Sequence, residues 1–168
     1  MNQIFRYIIA FVLYLIFQVG LFDHLGVLDV AMPFVFLLFI FTLPFDWPVM
    51  VIYLIAFGTG LFVDILSDSN ASGLHAFAAV FAVGPRERLA AMASGSNFRS
   101  VSELNLKDQS SLWFAIYLGS LILFHNLAYF FLEAMSFGNF FYTLLKVFTS
   151  TFYTFLICFL LSFIFYKR

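Results

Sequence analysis

Residues 147–166, VFTSTFYTFLICFLLSFIFY, pass without one charged side chain, and residues 7–22 and 109–132 do the same. A helix needs about 20 mostly apolar residues to cross the hydrocarbon of a bilayer. Runs of this kind dominate the chain: 64% of its 168 residues are hydrophobic and 10% are charged. Soluble domains average about 45–50% apolar and about 25% charged. A chain of this size has no interior large enough to hide so much apolar surface, so its solvent is lipid. The expected class is an all-α integral membrane protein forming one polytopic domain over residues 1–168. A net charge of -1 gives no reason to expect a nucleic-acid partner. Cys158 is the sole cysteine and reads as a small buried hydrophobe, with no internal disulfide to form.

Six spans are expected, at about 4–22, 30–43, 49–66, 72–84, 112–134 and 140–166. The first lacks the short core and Ala-x-Ala-like site of a cleavable signal, and reads as a retained span. Span 2 is short, with Pro33 read as opening its first turn, where a missing N–H costs nothing. Pro44 closes it, and in the reversal PFDWP, Asp46 is placed to cap the helix after Pro48. Span 4 is also short and stops at Gly84-Pro85. The polar segment 85–111 is expected to be a loop. It either lies on the membrane as an interfacial helix dipping Leu89, Met92 and Phe98, or stays mobile.

With six spans both termini share a face, and that face carries Arg6, Arg86, Arg88, Arg99, Lys107, Lys167 and Arg168. The opposite loops carry no basic residue but do carry Asp23, Asp29 and Asp68. Basic residues bias loops to the cytoplasmic side, which makes both ends cytoplasmic.

Ionisable residues within spans are costly and face protein or water. Here they are Asp64, His75, His125, Glu133 and Lys146. Asp64 and His75 are equidistant from the centre of the 3–4 hairpin, at Ser69–Asn70, so an antiparallel pair brings them to one depth. Two readings stand: a clasp between the spans, or two independent residues touching interfacial water. His125, Tyr129 and Glu133 recur every four residues, a strip that drifts slowly around one helix face. Lys146 can snorkel toward Glu133. Together they suggest a polar cluster, or a partner-facing groove, in the outer half.

No helical H-E-x-x-H, G-x-S-x-G elbow or phosphate-binding glycine loop is present. Three scattered histidines do not make a zinc site, which needs three or four ligands in one place. Asp64 and His75 have no third catalytic partner in view. No cofactor, metal or enzymatic activity is expected.

Two stretches then carry a family likeness: MPFVFLLFIFTLPFDWP (32–48), with Pro33, Pro44 and Pro48, and FGTGLFVDILSDSNASGLHAF, with Gly60, Leu61, Asp64, Gly73 and His75. In order, size and topology the chain resembles the MreD family of bacterial rod shape-determining proteins, in a Bacteroidetes-type spelling. It departs where Gly84-Pro85 ends span 4 early, so that this span is short or continues into RERLAAMA. The resemblance implies a non-catalytic scaffold in the bacterial inner membrane. Such a scaffold binds MreC directly and works beside MreB and the RodA–transpeptidase pair in peptidoglycan synthesis. The family fold is similar to the substrate-binding component of energy-coupling-factor transporters. The alternative is therefore a six-span protein that binds a small vitamin-like molecule for transport.

Overall fold

A computed structural model describes residues 3–27, 30–67, 73–95, 109–135 and 139–165. Of the residues named above, Asp29, Asp68, Ser69, Asn70, Phe98, Arg99, Lys107, Lys167 and Arg168 lie outside these ranges. Among the described residues the regular structure is helical, with no strand beyond one isolated bridge between Val27 and Ala31. The helices are α1 (Gln3–Gly20), α2 (Phe36–Phe41), α3 (Val49–Leu66), α4 (Leu74–Val83), α5 (Arg86–Ser94), α6 (Ser111–Ala134) and α7 (Phe140–Phe165). The stretches Phe5–His24, Val49–Leu66, Ser111–Ala134 and Phe140–Ile164 are long and apolar enough to cross a membrane.

Each long helix buries one stripe. On α6 the buried residues come in neighbouring pairs, Trp113–Phe114, Tyr117–Leu118, Leu121–Ile122, His125–Asn126 and Tyr129–Phe130, the recurrence expected of one helical face. On α7 the buried stripe is Thr143, Val147, Ser150, Thr154, Cys158 and Ser162, mostly small or hydroxylated. α3 packs on α4, α4 on α6, and α6 on α7, while α1 rests on α2 and α3.

The second expected span departs most from its sequence reading. Pro33 does not open a helix: α2 begins three residues later and runs for only six residues. Residues 32–35 before it lie outside any helix. This segment is the centre of the molecule, with Val35–Leu38, Ile40, Phe41 and Leu43 fully buried. Buried non-helical backbone survives only where other groups satisfy its N–H and C=O. Here side chains do so from two sides, in alternation. Toward α7, Thr149 Oγ1 donates to the Val30 carbonyl at 2.8 Å. Met32 N donates to Ser150 Oγ at 2.9 Å and Phe34 N to Thr154 Oγ1 at 3.1 Å. Toward α1, one carboxamide serves the other edge. Gln18 Nε2 donates to the Pro33 carbonyl at 3.0 Å, and Gln18 Oε1 accepts from Val35 N at 2.6 Å and Phe36 N at 3.2 Å. The second Nε2 hydrogen goes to Asp23 Oδ1 at 2.7 Å. The backbone groups of residues 30–35 thus alternate between α7 and Gln18, which stand where neighbouring strands would.

The far end of α2 is closed by its own C-cap residue and by other elements. The Thr42 hydroxyl donates to Leu38 O at 2.6 Å. Tyr117 of α6 donates to Phe41 O at 2.9 Å. Arg86 donates from Nη2 to Leu43 O and from Nε to the Tyr117 oxygen at 2.9 Å, with its guanidinium 4.0 Å from the Phe45 ring centroid. Arg86, counted above as a loop charge, is a buried cation at a helix C-terminus, where the macrodipole favours it. Asp46 is exposed and caps nothing: the N-cap of α3 is Pro48, with no side-chain cap bond.

The segment expected as a loop from residue 85 starts with helix α5, which packs on α6. The Trp113 indole N–H donates to Ser94 Oγ at 2.8 Å and to Ala90 O at 3.2 Å, tying the two together. Leu89 packs against the core, whereas Met92 is exposed.

Candidate functional site: the buried polar node of the α3–α4 hairpin

Gly60 sets the approach of the two helices. A Cβ built on it would lie 2.5 Å from Ala76 Cα and 2.6 Å from both Ala76 N and the His75 carbonyl carbon. All three are backbone atoms, so only glycine lets α4 come this close. At the start of α4, Gly73 takes φ +95° in the left-handed region, which glycine enters without a Cβ penalty.

Gly73 has no side chain with which to cap α4, and Asp64 of α3 supplies the cap from across the hairpin. Asp64 Oδ1 accepts from His75 N at 3.1 Å, and Oδ2 accepts from Ala76 N at 3.0 Å. These are the second and third N–H groups of the helix, the ones an N-cap oxygen ordinarily takes. His75 Nδ1 lies 2.8 Å from the same Oδ1. The carboxylate accepts, which places the proton on Nδ1. Both residues are buried, at 4% and 3% exposure, too little for two independent residues touching interfacial water. Of the five motif residues, Gly60, Asp64, Gly73 and His75 form the clasp. Leu61 points away and is exposed.

The expected strip on α6 divides. His125 and Tyr129 turn inward and are buried. Their rings lie 5.2 and 4.9 Å from Phe34, and Tyr129 is 4.6 Å from His75, centroid to centroid. Phe36 adds edge-on contacts to both imidazoles. The node is thus packed with rings from the buried segment that Gln18 holds. His125 Nδ1 lies 3.1 Å from Asn126 Oδ1, and Asn126 Nδ2 donates to Thr151 Oγ1 at 3.0 Å, joining α6 to α7. His125 Nε2 is buried with no partner among the described residues. Glu133 stands apart, with Lys146 Nζ 2.8 Å from its Oε2 and 5.1 Å over the Phe130 ring.

The chemistry available here is that of a joint. The Asp64 oxygens are occupied by two backbone donors and an imidazole. Among the described residues no group of three His, Cys, Asp or Glu side chains is placed to hold a metal. Sequence reasoning missed Gln18, Asn126, Tyr117, the inward turn of Arg86 and the α7 hydroxyls. Their signal was present in part. Gln18 is the only amide in the run 7–22, and Ser150, Thr154 and Ser162 keep the helical spacing of the buried face. Comparison with models of protein families, with curated proteins and with solved structures returns no match.

Proposed function

We propose that this chain is a non-catalytic scaffold of the bacterial cell-elongation complex, of the MreD family, and that it acts in the cytoplasmic membrane by binding MreC. In this reading two further crossings join the four long helices: residues 30–43, and α4 together with α5. Both termini face the cytoplasm. The proposal rests on the sequence likeness of residues 32–48 and 57–77. One observation lends it physical sense: Asp64, the acidic residue of the likeness, spends its carboxylate on the backbone of α4. A residue so used serves shape rather than turnover, and shape is what a scaffold presents to its partners.

Co-purification in mild detergent tests the proposal. A tagged copy co-expressed with MreC from the same genome is expected to retain it in a defined ratio, and Asp64→Ala to lower that recovery. Retention of no MreC, together with tight binding of a vitamin-like molecule, would overturn the scaffold in favour of a transport component.

A further inference from the structure

Between α1 and α3 lies an apolar groove of about 310 Å³. Phe11 of α1 and Gly58, Thr59 and Phe62 of α3 wall it, and Phe39 of α2 lies beneath. It is about twice the size of a dry engineered cavity of roughly 150 Å³ that accepts benzene, so it takes more than one ring-sized group. The Thr59 hydroxyl is already spent, donating to Ile55 O at 2.7 Å. Apart from the polar tips of Tyr7 and Trp47 at one end, the walls offer an occupant no hydrogen bond, so what fills the body of the groove is hydrocarbon. The side wall belongs to α1, the least covered of the four long helices.

The two ends differ. Phe11 and Phe62 meet edge to face at 5.7 Å and close one with apolar rings. At the other, Tyr7 and Trp47 meet edge to face at 5.0 Å. Both are half-buried, and rings with an apolar body and a polar tip settle where hydrocarbon gives way to headgroups. Arg6, next to Tyr7, and Asp46, next to Trp47, are both exposed. The aromatic pair at this end of the uncharged groove is thus adjoined in sequence by an exposed cation and an exposed anion.

That pattern complements a zwitterionic phospholipid. We infer that the groove seats one acyl chain of such a lipid, with its phosphate toward Arg6 and its ammonium toward Asp46. A partner helix suits the site less well, because the aromatic pairs at both ends break the groove into a short recess. The inference stands independently of the scaffold reading.

Gly58 provides the test. A Cβ at this position meets nothing within 4 Å, so the side chain of Gly58→Leu starts into open space and extends into the groove that Gly58 lines. The full chain, washed in delipidating detergent, is weighed by native mass spectrometry. The wild type is expected to keep one phosphatidylethanolamine, and Gly58→Leu to keep about tenfold less with an undiminished melting temperature. Asp46→Asn is expected to shift the retained lipid toward anionic classes. A second measurement reconstitutes both proteins with phosphatidylethanolamine brominated near the headgroup end of its acyl chains. Quenching of tryptophan emission should saturate at low bromolipid fraction in the wild type, and track bulk lipid composition in Gly58→Leu. Equal lipid retention and equal quenching in the two proteins would overturn the inference. So would a two-chain mass that Gly58→Leu abolishes without any change in bound lipid.

Discussion

Asp64 acts as a helix cap supplied by a different helix, and the consequence is measurable. Replacement by Ala leaves two buried N–H groups of α4 without acceptors and frees the His75 ring. At about 1–3 kcal/mol for each of the two buried groups stranded, Asp64→Ala should cost about 2–6 kcal/mol. Asp64→Asn, which keeps one carbonyl oxygen but turns an NH2 toward a backbone donor, should fall between that and wild type. Melting of the detergent-solubilised protein ranks the three, and an unchanged value for Asp64→Ala would remove the clasp from the account. Gly60 carries a sharper expectation. Its added Cβ would press on backbone that cannot rotate away, so Gly60→Ala must separate α3 from α4 and loosen the Asp64 bonds with them. Gly58→Ala, two residues earlier, meets open space and should melt at or slightly above wild type, since alanine favours helix. Equal effects at the two glycines would contradict the close approach seen at Gly60. The depth match of Asp64 and His75 was legible because a hairpin fixes depth by counting residues. That Asp64 would cap the backbone was not, because helix α4 begins where Gly73 places it.

Among the elements, α3 was readable to its ends at Val49 and Leu66. A long apolar run between a proline-bounded turn and a polar one leaves little choice. The buried segment was not readable, for a physical reason. Residues 30–43 are apolar on every side, and such a run has no period to separate helix from extended chain. The decision is made by partners distant in sequence: Gln18 on α1 and three hydroxyls on α7. Those hydroxyls behave as a strand edge, so their loss should be felt as orphaned backbone. Thr154→Val keeps the shape and removes the acceptor of Phe34 N, and should cost about 1–3 kcal/mol. Ser150→Ala does the same to Met32 N. Ser120→Ala is the control, since its hydroxyl bonds only the Ile116 carbonyl of its own helix at 2.7 Å and strands nothing. Denaturant titration of the three variants would dispose of the strand-like role of α7 if Thr154→Val matched Ser120→Ala.

At the scale of the whole molecule, the segment 30–43 is gripped at both ends by groups that never touch one another. Gln18 holds Pro33, Val35 and Phe36, while Arg86 and Tyr117 hold Leu43 and Phe41. Distant sites normally add within about 0.5 kcal/mol. They fail to add when they report on one body. Gln18→Ala strands two N–H groups and a carbonyl. Arg86→Lys gives up the planar fork that lets one side chain serve Leu43 and Tyr117 together, which a point-like ammonium cannot reproduce. If residues 30–43 move as a unit, the first substitution already frees much of what the second would release. The double variant should then be less destabilised than the sum of the singles, by about 1 kcal/mol or more. Strict additivity would mean that the two ends yield separately. A subadditive cycle would make α2 and its non-helical lead the common core against which α1, α6 and α7 are registered. It would also explain why an amide and an arginine, both costly in lipid, are placed at its two ends.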